Sequence, residues 1–157
     1  MTTTCAAGSL RARIAEFTAL LARIAVGVVF AAHGWQKIDD GVAGTAEFFG
    51  AVGVPAPEVA AVVAMVVEFG GGVALAVGFA LPVTGTLLAA MMAGAYVFAH
   101  LGDPLYDPAG GSSFELPLVL GATALALGFL GGRLTVDRFF PWGRVSPVSH
   151  QAAVDAR

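Results

Sequence analysis

Four apolar runs set the pattern of the chain: about Phe17 to Ile38, Pro57 to Leu81, Val83 to Leu101 and Phe114 to Gly131. Each approaches or exceeds the ~20 residues that, at about 1.5 Å rise per residue, cross a ~30 Å hydrocarbon layer. None has the period-two alternation over about ten residues that marks a membrane strand, so the runs predict helices. Polar and breaker residues define the connections. Asp39 to Ala56 is a loop whose Thr45-Ala46-Glu47-Phe48-Phe49 stretch predicts a short interfacial helix, broken by Val54-Pro55-Ala56-Pro57. The turn around Leu81-Pro82-Val83 is so short that the second and third helices must be antiparallel neighbours. Gly102 to Ser113, with its Gly-Asp-Pro and Asp-Pro-Ala-Gly-Gly runs, reads as a turn-rich loop. The expected fold is an all-α transmembrane four-helix bundle, with an N-terminal segment over 1–16, a membrane domain over 17–138 and a polar tail over 139–157. There is no repeat and no second domain.

Composition strengthens this picture. The chain is 57% hydrophobic and 12% charged, about half the usual charged fraction, and its mean hydropathy is +0.82. From Val59 to Gly102 the only formal charge is Glu68. Such a sequence excludes a soluble globular enzyme, a disordered chain and a nucleic-acid binder; the net charge of −3 offers no basic footprint. The single cysteine, Cys5, cannot form an internal disulfide or a redox pair. Arg11 and Arg13 before an apolar run resemble a secretory signal, but Glu16 and Arg23 interrupt it and further spans follow, so the run is read as a retained first span. Arg11 and Arg13 flank one terminus and Arg133, Arg138 and Arg144 the other. The first and third connections hold one base, Lys37, against Asp39, Asp40, Glu47, Asp103 and Asp107. The positive-inside rule then places both termini in the cytoplasm and those two loops outside, as an even number of spans requires.

Ionisable groups within spans cost about 2.5 to 3.5 kcal/mol each and need a partner or a role. Arg23 in helix one and Glu68 in helix two are expected to form an intramembrane ion pair, either structural or linked to proton or quinone chemistry. Arg23, Gly27, Phe30, Gly34 and Lys37 share the inward face of helix one, where the two glycines admit a neighbouring backbone. Met92, Tyr96 and His100 form an i, i+4, i+8 stripe on helix three. Topology then brings His33, Lys37, Tyr96, His100 and Glu115 to similar depth. Such a group can bind a quinone head group, with His or Tyr donating to a carbonyl and a carboxylate passing protons; the same residues also suit a plain membrane–water boundary. Haem ligation by His33 and His100 lacks any supporting ligand motif. No metal is expected: a zinc site lacks paired His or thiols, and Met91-Met92 reads as packing. Gly70-Gly71-Gly72 is not a phosphate loop and reads as closely packed or bent helix.

Taken in series, Arg23…Gly27…Phe30…His33-Gly34-Trp35-Gln36-Lys37, Gly53-Val54-Pro55-Ala56-Pro57, Glu68-Phe69-Gly70-Gly71-Gly72…Gly78, Met92…Ala95…His100 and Gly131-Gly132-Arg133-Leu134-Thr135-Val136-Asp137 resemble the DoxX family of small bacterial four-helix membrane proteins. The resemblance implies association with quinol oxidase and thiosulfate:quinone chemistry, or with oxidative and thiol stress. It carries over to Arg23, His33, Lys37, Glu68 and His100 as positions without assigned roles. The chain departs from the family at Ala80-Leu81-Pro82-Val83, where a basic residue is common. Two readings result. One is a redox-associated membrane subunit, non-catalytic or quinone-binding, with redox-enzyme partners; the other is a non-enzymatic scaffold or assembly factor. A quinone is the expected candidate cofactor, the bilayer the expected partner, and self-association is allowed by either reading. A transporter ranks third, since four helices form a pore only as an oligomer.

Overall fold

The computed structural model describes residues 3–130 and 134–139, with side chains described for 10–130, 134–137 and 139. The Gly131-Gly132-Arg133 motif, Arg144, the tail beyond 139 and the side chains of Cys5 and Arg138 lie outside the described residues.

The first helix, α1 (Thr3–Ala51), is much longer than its apolar run. No proline interrupts it, so the helix begins within the polar N-terminal segment and runs through the first connection. Its one break is Gly41, at φ 74° and ψ 168°, a conformation that only glycine adopts readily. Residues 42–51 then form the short helix expected around Phe48-Phe49. Gly53, at φ 80°, and Pro55 end it. Helix two is composite: α2 (Pro57–Met65), a π-helical turn over Val66–Gly70 and α3 (Gly71–Val77). Gly78 caps it in the left-handed region, with Gly78 N–H and Phe79 N–H both donating to Ala74 O. Helix α4 (Leu81–Ala99) starts on Pro82 in its first turn, where a missing N–H costs nothing. Helix α5 (Glu115–Leu130) and a 3₁₀ turn over Val136–Phe139 complete the chain. There is no strand among the described residues.

Three helical stretches, Leu10–Ala51, Pro57–Val77 and Leu81–Ala99, are long and apolar enough to cross a membrane. The fourth, α5, is as apolar but has 16 residues, about 24 Å of rise. Burial is inverted relative to a soluble protein: Val59, Val66, Phe129 and Leu130 are exposed, whereas Arg23, Thr45, Glu68, Thr84 and Asp137 are buried. Lipid is the only solvent in which that distribution is favourable.

Small residues set the packing. A Cβ on Gly27 would lie 2.5 Å from Gly72 O, one on Gly34 2.3 Å from Phe69 N, and one on Gly85 2.5 Å from Ala124 O. The backbones therefore touch along α1 against helix two and along α4 against α5, the contact that small side chains permit where no hydrophobic force drives helices together. Phe30, Leu75, Leu81, Leu88, Leu120, Ala124 and Leu127 form the core between these two pairs. At one end, Asp137 accepts hydrogen bonds from Ala80 N (2.6 Å) and Leu81 N (3.0 Å), capping α4 from the far end of the chain. Arg23 lies at the same end. The opposite end carries the candidate site.

Candidate functional site

Glu68 lies on the π-helical turn and its side chain is 5% exposed. It accepts a hydrogen bond from Lys37 Nζ at 2.6 Å, and the Lys37 side chain is 23% exposed. The expected Arg23–Glu68 pair is therefore replaced by Lys37–Glu68. The glycine contacts give the reason: with Gly27 against Gly72 and Ala76, and Gly34 against Phe69, the antiparallel register puts Glu68 opposite the Lys37 end of α1. Arg23 is 14 residues away from Lys37, about 21 Å along the axis. Its guanidinium, 1% exposed, donates to Leu134 O and has the carboxylate of Asp137 as counter-charge. An extra residue in a helical turn, as a π segment supplies, re-aims side chains and recurs at functional sites; here it falls on the one buried charge of helix two.

His33 sits one turn before Lys37. Its Nδ1–H donates to Val29 O at 2.9 Å. His100 is the C-cap of α4, at φ −129°. Its Nδ1–H donates to Asp103 Oδ2 at 3.1 Å, and the Ser112 hydroxyl donates to the same oxygen. The loop that brings Ser112 back is closed by Phe114 N–H donating to Pro104 O and by Asp107, which accepts from Ala109 N and Gly111 N. Asp103 lies outside the spans, and the hydrogen bond from Ser112, then that from His100, holds its carboxyl below the ordinary carboxylate range.

These groups line one cavity of about 700 Å³ between the two helix pairs. His33, Lys37, Glu68, His100, Ser112 and Glu115 supply its polar wall; Phe30, Phe48, Phe49, Met91, Met92 and Phe98 supply much of the rest. The volume lies within the range of small-molecule sites, and so does the mix of apolar wall and few polar groups. Of the sequence-predicted cluster, His33, Lys37, His100 and Glu115 reach this cavity. Tyr96 does not: it is turned toward α5, where its ring meets Phe114 edge-on at 5.3 Å. Of the Met92-Tyr96-His100 stripe, Met92 and His100 line the cavity and Tyr96 does not; His100 reaches it from the non-helical C-cap, and Met91, Ala95 and Ala99 supply more of that wall. Three participants had not been singled out for the site: Asp103 and Ser112, which fix His100, and Glu68 as a wall residue. The His-x-x-Asp spacing in a Gly-Asp-Pro turn was the available signal for Asp103. Among the described residues no three His, Cys, Asp or Glu side chains converge as a metal site.

The sequence pattern of the DoxX family matches residues 18–101, more than half the chain and the segment that carries Arg23, His33, Lys37, Glu68 and His100. The chain belongs to the DoxX family. It is 34% identical over 125 residues to "Putative oxidoreductase CatD" of Bacillus subtilis, covering 79% of this chain and 87% of the relative. It is 39% identical over 67 residues to "Inner membrane protein YqjF" of Escherichia coli, covering 43% of this chain and 49% of that protein. No solved structure matches. Within this DoxX bundle, α5 and the Ser112 loop lie C-terminal to the segment matched by the family pattern.

Proposed function

We propose that this DoxX-family chain is a redox-associated subunit of the inner (plasma) membrane, crossing it four times with both termini cytoplasmic, and that its cavity holds the head group of a quinone or a similar lipophilic ring. The observation that carries this reading is the cavity itself. An apolar enclosure at one end of a membrane bundle has two imidazoles, an ammonium and two carboxylates on its wall. Those groups can accept, donate and relay protons around a flat redox ring, and a structural role alone gives no reason to leave 700 Å³ open beside them. The oxidoreductase description of the Bacillus relative points the same way.

The test uses Gly94, which lines the cavity and whose added Cβ would meet nothing within 4 Å. Gly94→Phe fills the cavity without forcing the backbone. Full-length protein extracted in mild detergent is assayed by mass spectrometry for co-purifying isoprenoid quinones. The wild type retains quinone at a stoichiometry approaching one per chain, and Gly94→Phe loses it while keeping its helical circular dichroism. Equal amounts in both, or none in the wild type, refute the proposal; the second result favours a scaffold.

A further inference from the structure

We infer that the cavity selects the reduced, dihydroxy form of its ring ligand over the oxidised, dicarbonyl form. This rests on the quinone-type reading above and specifies the ligand by its hydrogen-bonding chemistry.

The argument starts from tautomers. A neutral imidazole carries one proton, and a ring nitrogen facing a carbonyl or carboxylate oxygen must be the one that holds it. His33 Nδ1 faces Val29 O and His100 Nδ1 faces Asp103 Oδ2, so both rings are Nδ1–H tautomers and both leave Nε2 as a bare lone pair. Neither Nε2 has a hydrogen-bond partner among the described residues, and both rings line the cavity. The other polar wall groups lean the same way. Glu68 and Glu115 are carboxylates and accept only. The Ser112 hydroxyl is committed to Asp103. Lys37 is the one strong donor on the wall, and it already gives a hydrogen to Glu68.

An acceptor-rich wall is matched by a ligand that donates. A hydroquinone brings two O–H groups; a quinone brings two carbonyl acceptors, which would face the bare lone pairs of the wall. Leaving buried polar groups unpaired is what gives sites their strongest discrimination. The Lys37 ammonium fits the same ligand, because it stabilises a phenolate oxygen if one hydroxyl yields its proton to an imidazole. Asp103 is the positioning residue for His100. Ser112 and His100 keep its carboxyl below the ordinary range, so it remains an anion that demands the proton on Nδ1.

The experiment compares three probes of one skeleton: a decyl-substituted benzohydroquinone, the corresponding benzoquinone, and the dimethyl ether of the hydroquinone. Binding to full-length protein in nanodiscs is measured calorimetrically at pH 8 under anaerobic conditions, with empty nanodiscs subtracting partition into lipid. The hydroquinone binds at least tenfold more tightly than either of the others. His33→Phe and His100→Phe each weaken hydroquinone binding more than quinone binding, so the ratio falls in both. Asp103→Asn lets an amide N–H face Nδ1, moves the ring proton to Nε2, and shifts the ratio toward the quinone; a merely structural role for Asp103 would change both affinities together. Equal binding of all three probes, or a dimethyl ether as tight as the hydroquinone, overturns the inference while leaving a quinone-type site in place. Binding by none of the three overturns both.

Discussion

The Lys37–Glu68 pair makes a prediction that separates this structure from the pairing expected at sequence level. Lys37→Met leaves the Glu68 carboxylate, 5% exposed, without its cation; removing one partner of a buried ion pair costs about 3–5 kcal/mol. Glu68→Met leaves an ammonium that is 23% exposed to the cavity and can find water there, so its cost is smaller, about 1–2 kcal/mol. The double variant Lys37→Met/Glu68→Met removes both charges from an apolar medium and lies within about 1 kcal/mol of the wild type. The double-mutant cycle then gives a coupling of about 3–8 kcal/mol. Arg23 lies at the other end of the bundle, so Arg23→Met and Glu68→Met add to within about 0.5 kcal/mol. Reversible unfolding in mixed micelles, followed by circular dichroism, supplies all the free energies. Additive Lys37 and Glu68 effects, or an Arg23–Glu68 coupling larger than the Lys37–Glu68 one, would refute the assigned register.

Other outcomes test other parts of the bundle. Gly34→Ala places a methyl 2.3 Å from Phe69 N and 2.7 Å from its Cα, backbone that cannot swing aside, and costs about 1–3 kcal/mol of thermal stability; Gly94→Ala, with open space around its Cβ, is neutral or stabilising by up to about 1 kcal/mol. Asp137→Ala removes the acceptor for Ala80 N and Leu81 N and the counter-charge of the buried Arg23, and costs at least about 3 kcal/mol, with hydrogen exchange accelerated at those two amides. Carbon-13 titration of Asp103 finds a midpoint below the usual 3.8, and Ser112→Ala moves it upward. Because that carboxyl is depressed in the fold, its stabilising contribution is complete above the unfolded value of about 3.9 and is lost only as pH falls through the folded midpoint. The loop's acceptor for His100 Nδ1–H therefore remains a carboxylate above about pH 5.

The fold was legible because its signals are local. Apolar run length, Pro82 just after a short turn, and the inward series Arg23, Gly27, Phe30 and Gly34 each depend on neighbours along one helix, and all four of those residues are buried. The site was legible to the extent that topology sets depth: His33, Lys37, His100 and Glu115 reach one cavity. What escaped was register and termination. Nothing in the composition of helix two shows that Val66–Gly70 winds as a π turn, or that Gly27 and Gly34 fix an antiparallel offset pairing Glu68 with Lys37. Arg23 had the length to reach toward mid-membrane, but its partners, Leu134 O and Asp137, come from the end of the chain. Tyr96 was misplaced because its ring packs on Phe114, while Met91, Ala95 and Ala99 beside it face the cavity.

The same glycine contacts that defeat the simple pairing account for the cavity. Gly27 on Gly72 and Gly34 on Phe69 clamp α1 to helix two, while Gly85 on Gly128 clamps α4 to α5. Each clamp is backbone on backbone, so the two helix pairs are stiff units. Between them, Phe30, Leu75, Leu88 and Leu127 fill the space toward the Arg23 end. Toward the Lys37 end the residues of α4 that line the cavity include four small ones, Ala90, Gly94, Ala95 and Ala99, among Met91, Met92 and Phe98, and the small ones leave space between the two pairs. Phe48 and Phe49, carried back by the break at Gly41, line the space that remains. Small residues thus act in two opposite ways within one bundle. Where glycine meets backbone they close the helices together, and where alanine and glycine of α4 line the gap between the pairs they leave a cavity. Enlarging Gly94 or Ala95 should therefore remove ligand capacity without loosening the bundle, whereas enlarging Gly27 or Gly85 should loosen the bundle first.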